Sequence, residues 1–471
     1  MIKKVVLIIS CVFTTLTQNA QTELWGVTPN GGQDSIGNIY KTDGSGNLCI
    51  NEFDFLGNSD GQYPTSSLMQ AADGMLYGVV SLGGANSNGV LFQYDIINHV
   101  YNKKVDFNRS LHGGLPNGFL IQASNGKLYG LAPFGGINDL GTLFEYDPIN
   151  NVLIKKIDFS GTINGSNPLG SLIQASDGFL YGLTYGGGIN NVGVLFQYDP
   201  VSNSFIKKID FNGLNGGNPQ GSLIEASDGK LYGMTMSGGN STLPVGVIFQ
   251  FDPITNIYTK LLDLVNSSGA QPVGSFVQAA NGKLYGLTVI GGTYNKGVLF
   301  QYDPSNLTYT KKIDFDGVTT GSSPMCTLIE ASDGNLYGVS NDGGVYGYGT
   351  LFQFNPITDV FIKKLDFDHV VGAGPISNVI EINSTVTSTK QNLNQNIITL
   401  FPNPNNGSFT IDLKTKSQII ITNTLGETIL KQSLEIGKQN LNIQSQSNGI
   451  YFVKITDAKG LSTTKKIVVQ K

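Results

Sequence analysis

Charge is scarce in this sequence. Of 471 residues only 13% are charged, about half the usual share of roughly 25%, which excludes a coiled coil and a charge-rich disordered chain. The formal balance is −5, against an overall nucleic-acid-binding role. Cysteine and histidine occur three times each, and His99, His112, His369, Cys11, Cys49 and Cys326 nowhere adopt the spacing of a Cys/His metal site. A Gly-x-Ser-x-Gly elbow, a His-Glu-x-x-His helix and a P-loop are also missing, so no familiar catalytic or nucleotide signature is present. After residue 16 no apolar run approaches the roughly 20 residues of a membrane-spanning helix.

What is present starts with an address. Lys3 and Lys4, the apolar stretch Val5 to Leu16 and the end Gln18-Asn19-Ala20 predict a signal peptide over residues 1–20, cut between Ala20 and Gln21. Cys11 lies mid-run, where a lipid-attachment cysteine is the minor alternative. Two cysteines then enter an oxidising destination, where a disulfide is chemically open. Repeat alignment puts Cys49 on an outer strand and Cys326 on an inner strand of distant units, and both are expected to be free.

The remainder is rich in turns and aromatics, with 61 glycines, 17 prolines, 20 tyrosines and 25 phenylalanines. Leu-aromatic-Gly recurs at Trp25, Tyr77, Tyr129, Tyr181, Tyr232, Tyr285 and Tyr337, at spacings of 51 to 53 residues. From Ser171 one unit reads SLIQA, a Ser-Asp-Gly turn, FLYGLT, a Gly-Gly loop, GVLFQYD, a Pro turn and FIKKIDF. Four short β-rich runs between turn signals make one antiparallel meander. Seven such units predict an all-β chain with a seven-bladed β-propeller over residues 21–383. Strand 378–382 is expected to complete the first blade and close the ring. Lysine pairs such as Lys155-Lys156 and Lys207-Lys208 fall on the outermost strand, where charge blunts an exposed edge.

The Gly-Gly and YDP signals resemble kelch blades, and the whole pattern, with GVLFQYDP and SLIQASDGKLYG, is similar to the Gloeo/Verruco (GloVer) tandem repeats. That resemblance covers about three quarters of the chain. It implies architecture, and on the kelch side binding, without supplying catalytic residues.

A different rhythm follows. Residues 384–398 are polar and read as a linker, and residues 399–471 contain alternating short strands of a small β-sandwich. Ten lysines against four acids give residues 384–471 a charge of +6, and the signal peptide holds +2, which leaves −13 on residues 21–383. LFPNPNNGSF, ITNTLGETIL, NGIYFVKI and the final KKIVVQK resemble the type A C-terminal sorting domain of type IX secretion. The carriers of that resemblance are Pro402, Asn403, Pro404, Gly407, Gly449, Tyr451, Lys465 and Lys466. It implies an immunoglobulin-like sandwich, handling by the type IX machinery, and release from the cell or attachment at its surface.

Candidate site residues come from asymmetry between copies. Seven aspartates, Asp54, Asp106, Asp158, Asp210, Asp263, Asp314 and Asp366, share one repeat position; they suit turn capping, with a ring around a cation as the alternative. The end carrying the Gly-Gly and inter-blade loops varies most, as a recognition face would on a rigid scaffold. Its candidates are Phe134, Tyr185, Tyr294, Tyr346, Tyr348, Arg109 and His112, with Asp316 and His369 beside them. Exposed aromatics flanked by polar groups suit sugar rings, so glycan recognition is the expected function and protein adhesion the alternative. A polysaccharide-cleaving enzyme would need carboxylates gathered by folding, such as Asp316, Asp342 and Asp368. No cofactor, metal or nucleic-acid partner is expected.

Overall fold

The computed structural model describes residues 22–43, 46–240, 245–383, 400–402, 405–413, 416–423, 427–457 and 462–471. Residues Ala20, Gln21, Asn403 and Pro404, and with them the signal cleavage point and the linker, lie outside that set. The chain divides into two compact units, Met1–Ser384 and Thr385–Lys471. Strands account for nearly all regular structure, and the one helical segment among the described residues is a 3-10 turn at Asn266–Ser268.

The first unit holds seven four-stranded antiparallel sheets. The second sheet runs from Met69 to Asp106, the third from Ile121 to Asp158, the fourth from Ile173 to Asp210, the fifth from Ile224 to Asp263, the sixth from Val277 to Asp314 and the seventh from Ile329 to Asp366. The first sheet joins Thr22–Thr28, Asn38–Thr42 and Cys49–Asp54 to the late strand Ile380–Asn383, with Trp25 opposite Ile380 and Glu23 opposite Ile382.

Burial follows the repeat. The second strand, LYGLT and its variants, is buried throughout because neighbouring sheets cover both faces, whereas the fourth strand is only half covered. Aromatic rings join consecutive sheets: Trp25 to Tyr94, Tyr77 to Tyr146, Tyr129 to Tyr198, Tyr181 to Phe251 and Tyr285 to Phe354, with centroids 5.9–6.3 Å apart. Each such pair contributes roughly 0.5–1.5 kcal/mol beyond its buried area.

The short inner strands crowd one another. A Cβ on Gly170 or Gly221 would stand 2.4 or 2.2 Å from the carbonyl oxygen of the next sheet, so only glycine fits. One residue further on, a side-chain oxygen accepts the backbone N–H of the preceding sheet. Phe119 donates to Ser171, Ser171 to Ser222, Ser222 to Ser275, Ser275 to Thr327, Thr327 to Asn378, and Asn378 to Ser67, all at 2.6–2.8 Å. The series thus returns toward the second sheet, and Phe119, with no oxygen to offer, is its single gap.

Both remaining cysteines are free and buried. Their expected remoteness is corrected: Cys49 in the first sheet and Cys326 ahead of the seventh share one core cluster with Tyr40 and Phe367, whose rings meet at 5.3 Å. Units far apart in sequence are neighbours because the first and seventh sheets pack together.

The second unit has a three-stranded sheet, Leu400–Phe401, Ser408–Leu413 and Gly437–Asn442, and a four-stranded sheet ordered Thr428–Leu434, Ser417–Asn423, Gly449–Asp457 and Ser462–Val469. Phe409, Ile411 and Leu441 from one share a core with Ile421, Val453 and Ile467 from the other. Gly407 turns at φ +94, where a Cβ would meet Gln444 Cα at 2.7 Å. Tyr451 is buried and its hydroxyl donates to Ser447 O at 2.8 Å. Pro402 is exposed, Gly449 opens its strand, and Lys465 and Lys466 pair with Val453 and Phe452 in the last strand.

Candidate functional site

The repeated aspartates identify what is scaffold. In six sheets the carboxylate takes a lysine three residues earlier, from Lys103–Asp106 to Lys363–Asp366, at 2.8–3.1 Å. Its Oδ1 also accepts a backbone N–H beyond the double glycine, from Ala85, Ile137, Ile189, Thr293 and Val345 at 2.8–2.9 Å. The same lysine donates to a carbonyl in the loop after the preceding sheet, as Lys260 does to Leu214 O at 3.1 Å and Lys363 to Val318 O at 3.2 Å. The aspartates cap turns, and a lysine neutralises each of these six, which removes the cation-ring alternative.

This alters the reading of the lysine pairs as edge protection. The first lysine is an internal clamp. It can reach Asp three positions on because every outer strand carries a β-bulge: Leu143 faces Ile157 while Phe144 faces Lys155, so Lys156 is the extra residue. Without the bulge, residues i and i+3 of a strand would point to opposite faces. The edge is still protected, by the bulge as well as by the remaining charge.

Against that scaffold one departure from symmetry at the loop end is built around an arginine. Arg109, the only arginine in the chain, makes two parallel bonds to Asp139, Nε to Oδ1 at 2.8 Å and Nη2 to Oδ2 at 2.9 Å. Its guanidinium lies over the ring of Phe134, 5.4 Å from the centroid. Asp139 also accepts the Gly135 N–H at 2.9 Å. The side-chain bonds to Arg109 hold the Asp139 carboxyl below its usual range. Arg109 and Asp139, with Asn86, Asn88, Asn108, Ser110 and Gly136, line an open depression of about 480 Å³, and Phe134 lies beside it beneath the guanidinium.

The three asparagines are only partly engaged. Asn86 donates to Phe107 O, Asn88 donates to Asn86 O, and Asn108 Oδ1 accepts from Ser110 and Leu111. Asn86 Oδ1, Asn88 Oδ1 and Asn108 Nδ2 therefore have no protein partner among the described residues. The depression offers a guanidinium, free amide acceptors and a free amide donor beside the ring on which the guanidinium rests.

The other candidates separate. His112 is half-buried against Phe107 and accepts the Asn108 N–H at 3.3 Å. Burial and then Lys155 lower its pKa, which favours the uncharged ring. Tyr348 stacks edge-on with His369 at 5.0 Å. Tyr346 beside it is 60% exposed. Tyr294 is exposed on another sheet, and Tyr185 is half-buried, its carbonyl accepting from Asn218. Asp316 and Asp368, raised as possible acid–base groups, each cap their own turn. Asp368 accepts from Val370 and Val371. Burial of Asp316 acts to raise its pKa, but bonds from Thr319 and Thr320 prevail and bring it down to about 2. Asp342 is exposed.

Sequence reasoning missed Asp139 and the asparagines. Asp139 stands where other copies have Asn191 and Asn295, all in the left-handed region near φ +55, each accepting a glycine N–H of its own loop. An acid replacing that asparagine in one copy, with the sole arginine nearby, was the available signal.

A model described as the Gloeobacter/Verrucomicrobia repeat matches residues 12–155, 107–275 and 244–433. The chain belongs to that repeat family. A second model, the secretion system C-terminal sorting domain, matches residues 399–470, so the tail of this repeat protein is an export address. None of the curated proteins matches. Among solved structures, a putative 6-phosphogluconolactonase from Bacteroides uniformis is 14% identical, with 76% of this chain and 99% of that one aligned at a TM-score of 0.53. That likeness is one of fold. PorZ, an essential bacterial surface component of the type IX secretion system of Porphyromonas gingivalis, is 14% identical over 92% of this chain at 0.43, and this chain spans 63% of its length. A fungal alcohol oxidase of the AA5 family aligns over 96% of this chain and 95% of its own at 14% identity and 0.46. No helix among the described residues is long and apolar enough to cross a membrane.

Proposed function

We propose that residues 21–383 form a seven-bladed, kelch-like β-propeller that binds glycans outside the cell, delivered by a type IX sorting domain folded as an immunoglobulin-like sandwich over residues 399–471. The serial hydrogen bonds between inner strands and the pairing of Ile380–Asn383 with Thr22–Thr28 support the ring. The tail match supports export, with the mature protein released or held at the surface. The observation that carries glycan recognition is the depression lined by Arg109, Asp139 and three asparagines with free amide groups, beside the ring of Phe134. A sugar presents an apolar ring face and paired hydroxyl donors and acceptors, which this surface matches.

The test is a glycan and polysaccharide array probed with the purified protein, with and without calcium. Saturable binding to one glycan class is expected. Arg109→Ala should weaken it by about tenfold or more, the scale of one or two lost charge-assisted hydrogen bonds, while the melting temperature changes little. Tyr346→Ala with Tyr348→Ala asks whether the second aromatic cluster belongs to the same face. No binding at all would favour protein adhesion. That second reading has its own observation: the turns at the opposite end present Ile97, Ile149, Val201, Ile254 and Ile357, the least exposed of them at 69%.

A further inference from the structure

The cavity bounded by the seven inner strands is distinct from the loop-end depression. Its volume is about 210 Å³, and every repeat contributes to its wall. Small-molecule sites begin at roughly 300 Å³, so it is too small for a sugar chain and large enough for an ion with a few waters.

The polar side chains at one level of the wall are all engaged in the same sense. Ser67, Ser171, Ser222, Ser275, Thr327 and Asn378 each face the cavity, and each uses a side-chain oxygen to accept a backbone N–H. The four serines are 2–7% exposed. Among the described residues none of the five hydroxyls donates to a protein acceptor, nor does the Asn378 amide. Six donor groups therefore converge on one space, and no carboxylate lines it. A hydroxyl that accepts a strong hydrogen bond becomes a better donor, because the chain of bonds is polarised in one sense. A cation site would want carboxylates or carbonyl oxygens with free lone pairs; the wall has no carboxylate, and the Gly170, Gly221 and Gly274 carbonyls lie against the glycine of the preceding sheet.

We propose that this girdle of hydroxyl donors binds a small monovalent anion of halide type, coordinated in the plane of the serines, with Phe119 closing the one side that lacks a donor. The site stands on the inner-strand hydrogen bonds and is independent of the glycan reading.

The test uses the full chain. Crystals grown in sodium bromide should show an anomalous peak encircled by Ser171, Ser222 and Ser275, and crystals grown with rubidium should show none there. A rubidium peak, or water alone in the bromide crystals, overturns the proposal. In solution, the melting temperature should rise with bromide at constant ionic strength, balanced by a bulky organic sulfonate. Phe119→Ser adds a sixth hydroxyl and a seventh donor, so bromide should raise its melting temperature by about twice as much as that of the unaltered protein. A bromide response unchanged by Phe119→Ser would also overturn the assignment, and the crystal experiment decides the matter alone if that variant does not fold.

Discussion

Six sheets of the repeat unit are each folded from one continuous run of chain, whereas the first is assembled from two runs more than three hundred residues apart. The difference extends to how neighbours are tied. Elsewhere a lysine at the bulge binds Asp, and in most sheets it also reaches the preceding loop. In the first sheet Asn51 occupies the lysine position and donates to Asp54 at 2.8 Å. The tie to the seventh sheet's loop comes from Asn38, fully buried, whose amide donates to Val371 O at 3.0 Å. The continuous sheets are joined by partly exposed lysines that bridge their own aspartate to a neighbouring carbonyl, the composite one by the buried amide of Asn38. Salt screens the former and leaves the latter nearly untouched.

The largest expected effect tests whether the composite sheet is needed at all. Deleting residues 378–382 removes Val379 and Ile382 from the core, the pairing with Thr22–Thr28 and the Asn378 link. Two buried aliphatic side chains alone are worth on the order of 5 kcal/mol, so thermal unfolding followed by circular dichroism should shift downward by roughly 10 °C. An unchanged melt would mean that the late strand is an ornament.

Next in size is a paired substitution. Asp314→Ala removes the Lys311 ion pair and the cap on Thr293, at a cost of about 2 kcal/mol, and Asp54→Ala, which loses only neutral donors, should cost about 1 kcal/mol. Although burial works to raise the pKa of Asp314, its bonds to Lys311 and Thr293 lower it overall. Its contribution is therefore full above the ordinary carboxylate range and is lost as pH falls through the lowered value. Chemical denaturation at neutral and acid pH should show the Asp314→Ala deficit closing in acid. Equal costs at the two sites would erase the distinction between ionic and amide ties.

The smallest effect runs the other way. Asn51→Lys installs the missing clamp and should stabilise the protein by about 0.5 kcal/mol at low salt, the scale of an exposed ion pair. The gain should vanish in molar salt, measured by the denaturation midpoint.

The architecture was legible because its carriers are local. Leu-Tyr-Gly at a fixed period, Asp-Gly turns and Pro turns are each set within a few residues, and the strands formed where those signals lie. Even so, the turn residues do more than turn: Asp177 and Asp228 also accept the hydroxyls of Tyr181 and Tyr232, at 2.7 and 2.8 Å. The clamp was half legible. Lys-Lys-x-Asp is plain in FIKKIDF, but a strand has a period of two, and only the bulge, a property of the paired strand, brings the first lysine and the aspartate to one side. The candidate site was least legible. Arg109 and Phe134 stood out as exceptions to the repeat, whereas Asp139 differs from Asn191 and Asn295 by a single chemical group and Asn86 matches Asn138 and Asn190. Tyr185 and His112 are half-covered by packing, which the exposure typical of loops does not foretell.

Cys49 and Cys326 give the composite sheet one more property. Burial, with a smaller contribution from Asp368 at Cys49, pushes both thiols up to about 12, so almost none is thiolate at neutral pH and neither reacts while the sheets stay packed. Alkylation of these two sulfurs in the native protein must then wait for the first and seventh sheets to part. Its rate is a natural stopwatch for breathing at that junction, read without adding a label or altering a residue.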